Sequence, residues 1–94
     1  MKKIIRFTAP WCKPCSVFAP IWESVSKERP DWTWEVINVD NDRETATKYG
    51  ISSIPTVVME AEGIEPFMKT GVIQAPQLKK MIEDFESSNN IKNG

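Results

Sequence analysis

The chain holds two thiols, Cys12 and Cys15, with two residues between them in the stretch APWCKPC, residues 9–15. Three kinds of chemistry use such a pair: a structural disulfide, half of a metal site, or thiol–disulfide exchange. A disulfide across so short a loop ties nothing distant together and stabilises a fold by roughly 2 kcal/mol or less on chain-entropy reasoning. A structural zinc takes four ligands, usually Cys or His, and this chain has no histidine and no second pair of cysteines. No metal is therefore expected. Exchange needs only the two thiols, and it is the reading the residues favour.

Composition sets bounds on the rest. At 94 residues the chain is one domain, able to bury about two-thirds of its surface on folding. A hydrophobic content of 40% and a charged content of 27% are those of an ordinary soluble globular protein. The net charge of -1, with acids and bases interleaved, gives no electrostatic reason to expect nucleic acid or an anionic membrane as partner. The opening MKKIIRF starts like a secretory leader, but Arg6 interrupts its apolar run after two residues. A cytoplasmic location is the expectation, and there a Cys pair is usually catalytic or metal-binding rather than structural.

Elements must position the pair. Residues 3–8 form an apolar, β-branched run that reads as a strand. Pro14 suits a first helical turn, and Val17, Phe18, Ile21, Trp22 and Val25 follow at helical spacing, predicting a helix over 14–27 with one buried stripe. Pro20 lies inside it and should kink it. Residues 32–40 read as a second strand. Asn41 or Asp42 can cap a short helix over 43–49 that Gly50 stops. Residues 55–60 and 65–70 read as a hairpin turning at Glu62-Gly63. The last helix opens near Pro76 and buries Leu78, Met81, Ile82 and Phe85; residues 87–94 carry no pattern and are expected to be a flexible tail after a domain spanning 1–86. The order is β-α-β-α-β-β-α.

A CxxC at a strand-to-helix joint inside a β-α-β unit is the pattern of thioredoxin-like redox motifs, and here the chain resembles the thioredoxin family along nearly its whole length. WCKPC is similar to the family's Trp-Cys-Gly-Pro-Cys. Pro20, five residues on, matches its helix-kinking proline. NVDND and KYGISSIPT (48–56) resemble the stretch ending in its cis-proline, here Pro55, and TGV (70–72) resembles the turn that completes its substrate groove. The resemblance implies an α/β fold: a minimal thioredoxin-like four-stranded mixed sheet with about three helices. The family's additional N-terminal strand and helix are missing from this pattern, which leaves 33–39 as an exposed edge open to self-association.

The implied activity is disulfide reduction on protein substrates, with Cys12 as nucleophile and Cys15 resolving. The helix N-terminus and Lys13 should lower the Cys12 pKa below the free-thiol value of about 8.5. Trp11 is expected to be exposed for partner contact. Trp11, Ile54, Pro55, Gly71 and Val72 would form the substrate groove, while Trp11, Lys13, Pro14 and Arg6 would tune the dithiol. Arg6 stands where the family has a buried aspartate, and Trp34 or Glu35 are its expected partners unless its head reaches water. Trp22, Trp32 and Trp34 read as core or sheet-face residues, and Lys48 with the acidic run 40–44 as solvated surface. No bound cofactor is expected beyond the redox-active Cys12–Cys15 disulfide. The expected partners are disulfide-containing proteins and a reductase that supplies electrons, with the chain a monomer or weak dimer. Two other readings compete: a glutathione-dependent glutaredoxin-like reductase, which usually has Pro-Tyr between its cysteines, and a non-enzymatic subunit whose groove holds a partner.

Overall fold

The computed structural model describes residues 1–91. The predicted order is the observed one: β1 (Lys2–Thr8), α1 (Lys13–Glu28), β2 (Thr33–Asn38), α2 (Arg43–Lys48), β3 (Thr56–Ala61), β4 (Ile64–Thr70) and α3 (Ala75–Ser88). The four strands form one mixed sheet in the order β2-β1-β3-β4. β1 runs parallel to β2 and antiparallel to β3, and β3–β4 is an antiparallel hairpin. Gly63 turns it at φ +72°, a conformation glycine adopts without steric cost.

Strand alternation divides the core between the two faces of this sheet. Ile4, Val57 and Met59 point to the side where Phe18, Trp22 and Val25 of α1 meet Leu78, Ile82 and Phe85 of α3. Ile5, Phe7 and Val58 point to the other side, where Ala46 of α2 and Tyr49 just after it cover them. The result is a three-layer α/β/α sandwich. Because β1 and β2 are parallel, the loops that follow them open at the same end of the sheet.

Two sequence expectations change. Val17 was placed in the buried stripe of α1, yet it is 58% exposed, while Cys15, Phe18, Trp22 and Val25 are buried. Successive helical residues are about 100° apart, so Val17 turns away from the face that Phe18 presents to the core. Pro20 lies inside α1 as expected, on its exposed side.

The flexible tail expected over 87–94 is corrected for 87–91. Helix α3 continues to Ser88, and Asn90 adopts φ 56° so that Asn90 N–H donates to the Ser87 carbonyl and Ile91 N–H to that of Glu86. This double bond pattern is a Schellman cap, and Ile91 packs on the core. Its left-handed residue is an asparagine, which is why the absence of a glycine concealed it. Residues 92–94 of that expectation lie outside the described residues.

Glu86 is the charge the sequence reading missed. It is 3% exposed, on the same face as Ile82, and its Oε2 accepts from Trp32 Nε1 at 3.0 Å, from Lys2 at 3.4 Å, and from Arg29. Asp31 joins both cations, at 2.7 Å from Lys2 and 2.8 Å from Arg29. A buried carboxylate with such partners locks α3 to the start of β1 and to the α1–β2 loop.

Candidate functional site

Cys12 closes the loop after β1 and is the N-cap of α1. Its extended backbone, at φ -94° and ψ 108°, turns the side chain back over the first helical turn. There Cys12 Sγ accepts the Cys15 N–H at 3.2 Å, a bond that satisfies one of the helix's otherwise unpaired donors. The two sulfurs are joined as a disulfide, with Cα atoms 5.2 Å apart. Exposure separates them: Cys12 retains 6% and Cys15 1%. Cys12 is thus the less buried of the two, and its sulfur sits at the positive end of the helix.

The opposite wall comes from the approach to β3. The Ile54–Pro55 peptide is cis, and the Ile54 carbonyl oxygen lies 3.9 Å from Cys12 Sγ. Pro55 is buried, and its carbonyl accepts the Gly71 N–H at 2.8 Å, which fastens the end of β4 beside the site. Gly71 adopts φ +95°, which an L side chain rarely does; Val72 beside it is half-buried.

Trp11 forms a third side. It is 68% exposed, as expected, but it is not loose: its Nε1 donates to Asp40 Oδ2 at 2.8 Å. Between the indole and the 51–54 loop runs an open groove of about 350 Å³ lined by Trp11, Val39, Ala46, Ile51 and Ile54 with two serines, Ser52 and Ser53. Lys13 and Pro14 are exposed on the first turn of α1. The structure thus gathers Trp11, Cys12, Lys13, Pro14, Cys15, Ile54, Pro55 and Gly71 around one sheet end.

Arg6 goes elsewhere. It is 7% exposed, and its guanidinium stacks over Trp22, 5.5 Å from the ring centroid. Burial lowers its pKa and the Glu23 charge partly restores it. Both contacts differ from those expected. Trp34 instead stands edge-on to Trp22 at 4.8 Å. Glu35 is excluded by strand parity, because Arg6 pairs with Val36 and Glu35 therefore points to the opposite face, where it lies 4.0 Å from Lys3. Trp22 is seven residues along α1 from Cys15, about 10 Å of helix.

Two members of the acidic run 40–44 have duties, Asp42 the capping one expected of it and Asp40 one that solvated surface does not predict. Asp40 anchors Trp11, and Asp42 caps α2 by accepting from Thr45 N–H at 3.1 Å. The signal for Asp40 was topological: parallel β1 and β2 bring the loops 9–12 and 39–42 together. Among the described residues no cluster of three potential metal-binding His, Cys, Asp or Glu side chains occurs, and no helix is long and apolar enough to cross a membrane.

Comparison with known proteins points the same way. The family model described as Thioredoxin matches residues 1–84. A thioredoxin of Mycoplasmoides gallisepticum is 35% identical over 82 residues, which cover 87% of this chain and 82% of that protein. A putative thioredoxin 2 of Streptomyces coelicolor is 33% identical over 84% of this chain, and the chloroplastic thioredoxin M5 of rice 34% identical over 90%. The chain spans only 59% and 50% of those two. Among solved structures, chloroplastic thioredoxin z superposes with a TM-score of 0.83 at 26% identity, covering 93% of this chain and 80% of that one. The thioredoxin of Fasciola hepatica superposes with a TM-score of 0.81 at 31% identity, covering 88% and 79%.

Proposed function

Because this chain belongs to the thioredoxin family, with its cysteine pair at disulfide distance, we propose that it reduces disulfides of protein substrates through Cys12 and Cys15. The observation that carries this reading is the placement of Cys12: a helix N-cap whose sulfur accepts the Cys15 N–H and lies 3.9 Å from the carbonyl of Ile54, a residue that lines the open groove.

The steps balance as follows. A Cys12 thiolate attacks one sulfur of a substrate disulfide; the Cys12–substrate bond forms, the substrate S–S bond breaks, and the other substrate sulfur leaves as a thiolate that takes a proton from water. Cys15, after losing its proton to solvent, attacks Cys12 Sγ and expels the remaining substrate thiolate. Two electrons have then passed to the substrate, and the protein holds the Cys12–Cys15 disulfide seen in this structure. A reductase returns the dithiol by the reverse exchange. No bound cofactor takes part. Trp11, held by Asp40, and the 51–54 loop supply the groove for an extended substrate segment, whose main chain can pair beside Pro55.

Insulin reduction driven by a small dithiol tests this. The wild type turns over, Cys12→Ser is inactive, and Cys15→Ser accumulates a mixed disulfide without turnover. Sustained turnover by Cys15→Ser would refute the two-thiol mechanism, and no activity in the wild type would favour a groove that only binds.

A further inference from the structure

Two neighbouring apolar side chains of β4 are left in solvent. Phe67 is 43% exposed and Met68 41%, and neighbours in a strand point to opposite faces of the sheet. Phe67 stands opposite Met59, on the face that α3 covers, and Met68 opposite Val58, on the face of α2. A cover laid on one face cannot reach both; one added at the sheet's edge can. β4 is that edge, with no partner strand on its outer side among the described residues.

The edge is open over a short stretch. Gly71 N–H donates to the Pro55 carbonyl, and Lys69 and Phe67 follow at alternate positions opposite Val57 and Met59. The main-chain groups of 67 and 69 therefore turn toward β3, and those of Met68 and Thr70 turn outward. Beyond Phe67 the register shifts, because Ile64 is the residue opposite Ala61. Glu65 and Pro66 thus fill the place of one residue, and this bulge with its proline ends the regular ladder.

Beside the bulge, between β4 and α3, lies a mostly apolar groove of about 350 Å³ lined by Phe67, Pro66, Met81 and Phe85. Its charged lining is acidic throughout, Glu65 and Asp84. Lys80 is 3.4 Å from Asp84, but both are exposed and such a pair is weak. Lys69 lies on the other side of Phe67, toward Gly71, and does not line the groove. The groove is remote from the dithiol: Glu65 is separated from Gly71 by roughly 20 Å of strand.

We propose that β4 docks an extended segment of a partner protein, one that carries an apolar side chain beside Phe67 and a basic residue two positions further on. The N–H and C=O groups of Met68 and Thr70 pair with the segment's main chain. Side chains two apart share a face, so the apolar one settles into the groove and the basic one meets the carboxylates of Glu65 and Asp84. A segment held there leaves Cys12, Trp11 and the 51–54 loop open, so a partner can stay attached while the dithiol meets a disulfide. The docking itself does not depend on the reaction the dithiol carries out.

Amide NMR of the oxidised protein, titrated with the capped peptide Thr-Val-Thr-Phe-Thr-Lys-Thr, tests the proposal with a probe that holds no thiol. Saturable shifts are expected at Phe67, Met68 and Thr70 with a Kd of about 1 mM or below, and Met68 N–H should exchange more slowly in the complex. A peptide with Glu in place of Lys should bind at least about fivefold more weakly, since attraction to two carboxylates becomes repulsion. The double variant Glu65→Lys, Asp84→Lys changes two exposed residues and should reverse that preference. No saturable shift at these amides up to about 5 mM peptide, equal binding of the two peptides, an unreversed preference in the variant, or shifts centred on Trp11 and Ile54 would each overturn the proposal. Shifts of the same amides with protein concentration alone would also overturn it, by giving the edge to a second copy of the chain.

Discussion

Arg6 puts a full charge into the central strand, with its Nε lacking a hydrogen-bond partner among the described residues. Desolvation of a guanidinium costs several kcal/mol, and its compensation here is the face of Trp22, worth about 1–2 kcal/mol, and a distant pull from Glu23. The cost is the larger quantity. Arg6→Met keeps the stem's packing and removes the charge, so it should stabilise the fold by about 1 kcal/mol or more, raising Tm by about 4–8 °C per kcal/mol in a domain of this size. Thermal unfolding of the oxidised protein checks the sign. The same variant should leave the alkylation rates of both reduced cysteines unchanged, because the charge is engaged two helical turns along α1 from Cys15. A slowed Cys15 would instead give Arg6 the dithiol-tuning role expected from its position in the sequence. That role was legible only as a question: one charged residue in an apolar strand signals a special site, but which aromatic ring it meets depends on a helix–sheet crossing that no local pattern encodes.

At the scale of elements, α2 is short and holds its place through side chains rather than length. Asp42 caps it, and Tyr49 just beyond it stacks at 5.7 Å from Phe7 of β1 and donates to Glu60 Oε1 of β3 at 2.6 Å. Burial, and secondarily the Glu60 carboxylate, push the Tyr49 phenol up to about 12. The sign follows from linkage. An unfolded tyrosine ionises near pH 10 and the folded one near 12, so the unfolded state alone gains from ionisation as pH rises through this window. The contribution of Tyr49 is therefore intact below about pH 10 and is lost between about 10 and 12. Tyr49→Phe should cost about 1 kcal/mol at neutral pH, the worth of one hydrogen bond. The stability difference between wild type and variant should then shrink from pH 10 upward. Urea unfolding of both proteins at pH 7, 10 and 11 reads this directly, and a constant difference would mean that Tyr49 ionises at the same pH folded and unfolded.

For the whole molecule, what the sequence disclosed followed from how local each cause is. Strands, helices and the hairpin are written in periodicity and turn residues, so all seven elements were predicted, with ends shifted by a residue or two. The dithiol was equally plain, because Cys12 and Cys15 need only a strand before them and a helix after. Groups that act across the sheet were not plain. Asp40 matters because parallel strands bring it to Trp11, and Glu86 because α3 passes the α1–β2 loop; neither has a local signature. The groove likewise joins three separated segments. They converge on one sulfur, and the account rests on which sulfur that is. Competitive alkylation of the reduced protein at neutral pH, read peptide by peptide, tests this most directly. Cys12, at the helix N-cap and on the groove side, should be modified well ahead of Cys15; modification of Cys15 first would contradict the proposed mechanism at its opening step.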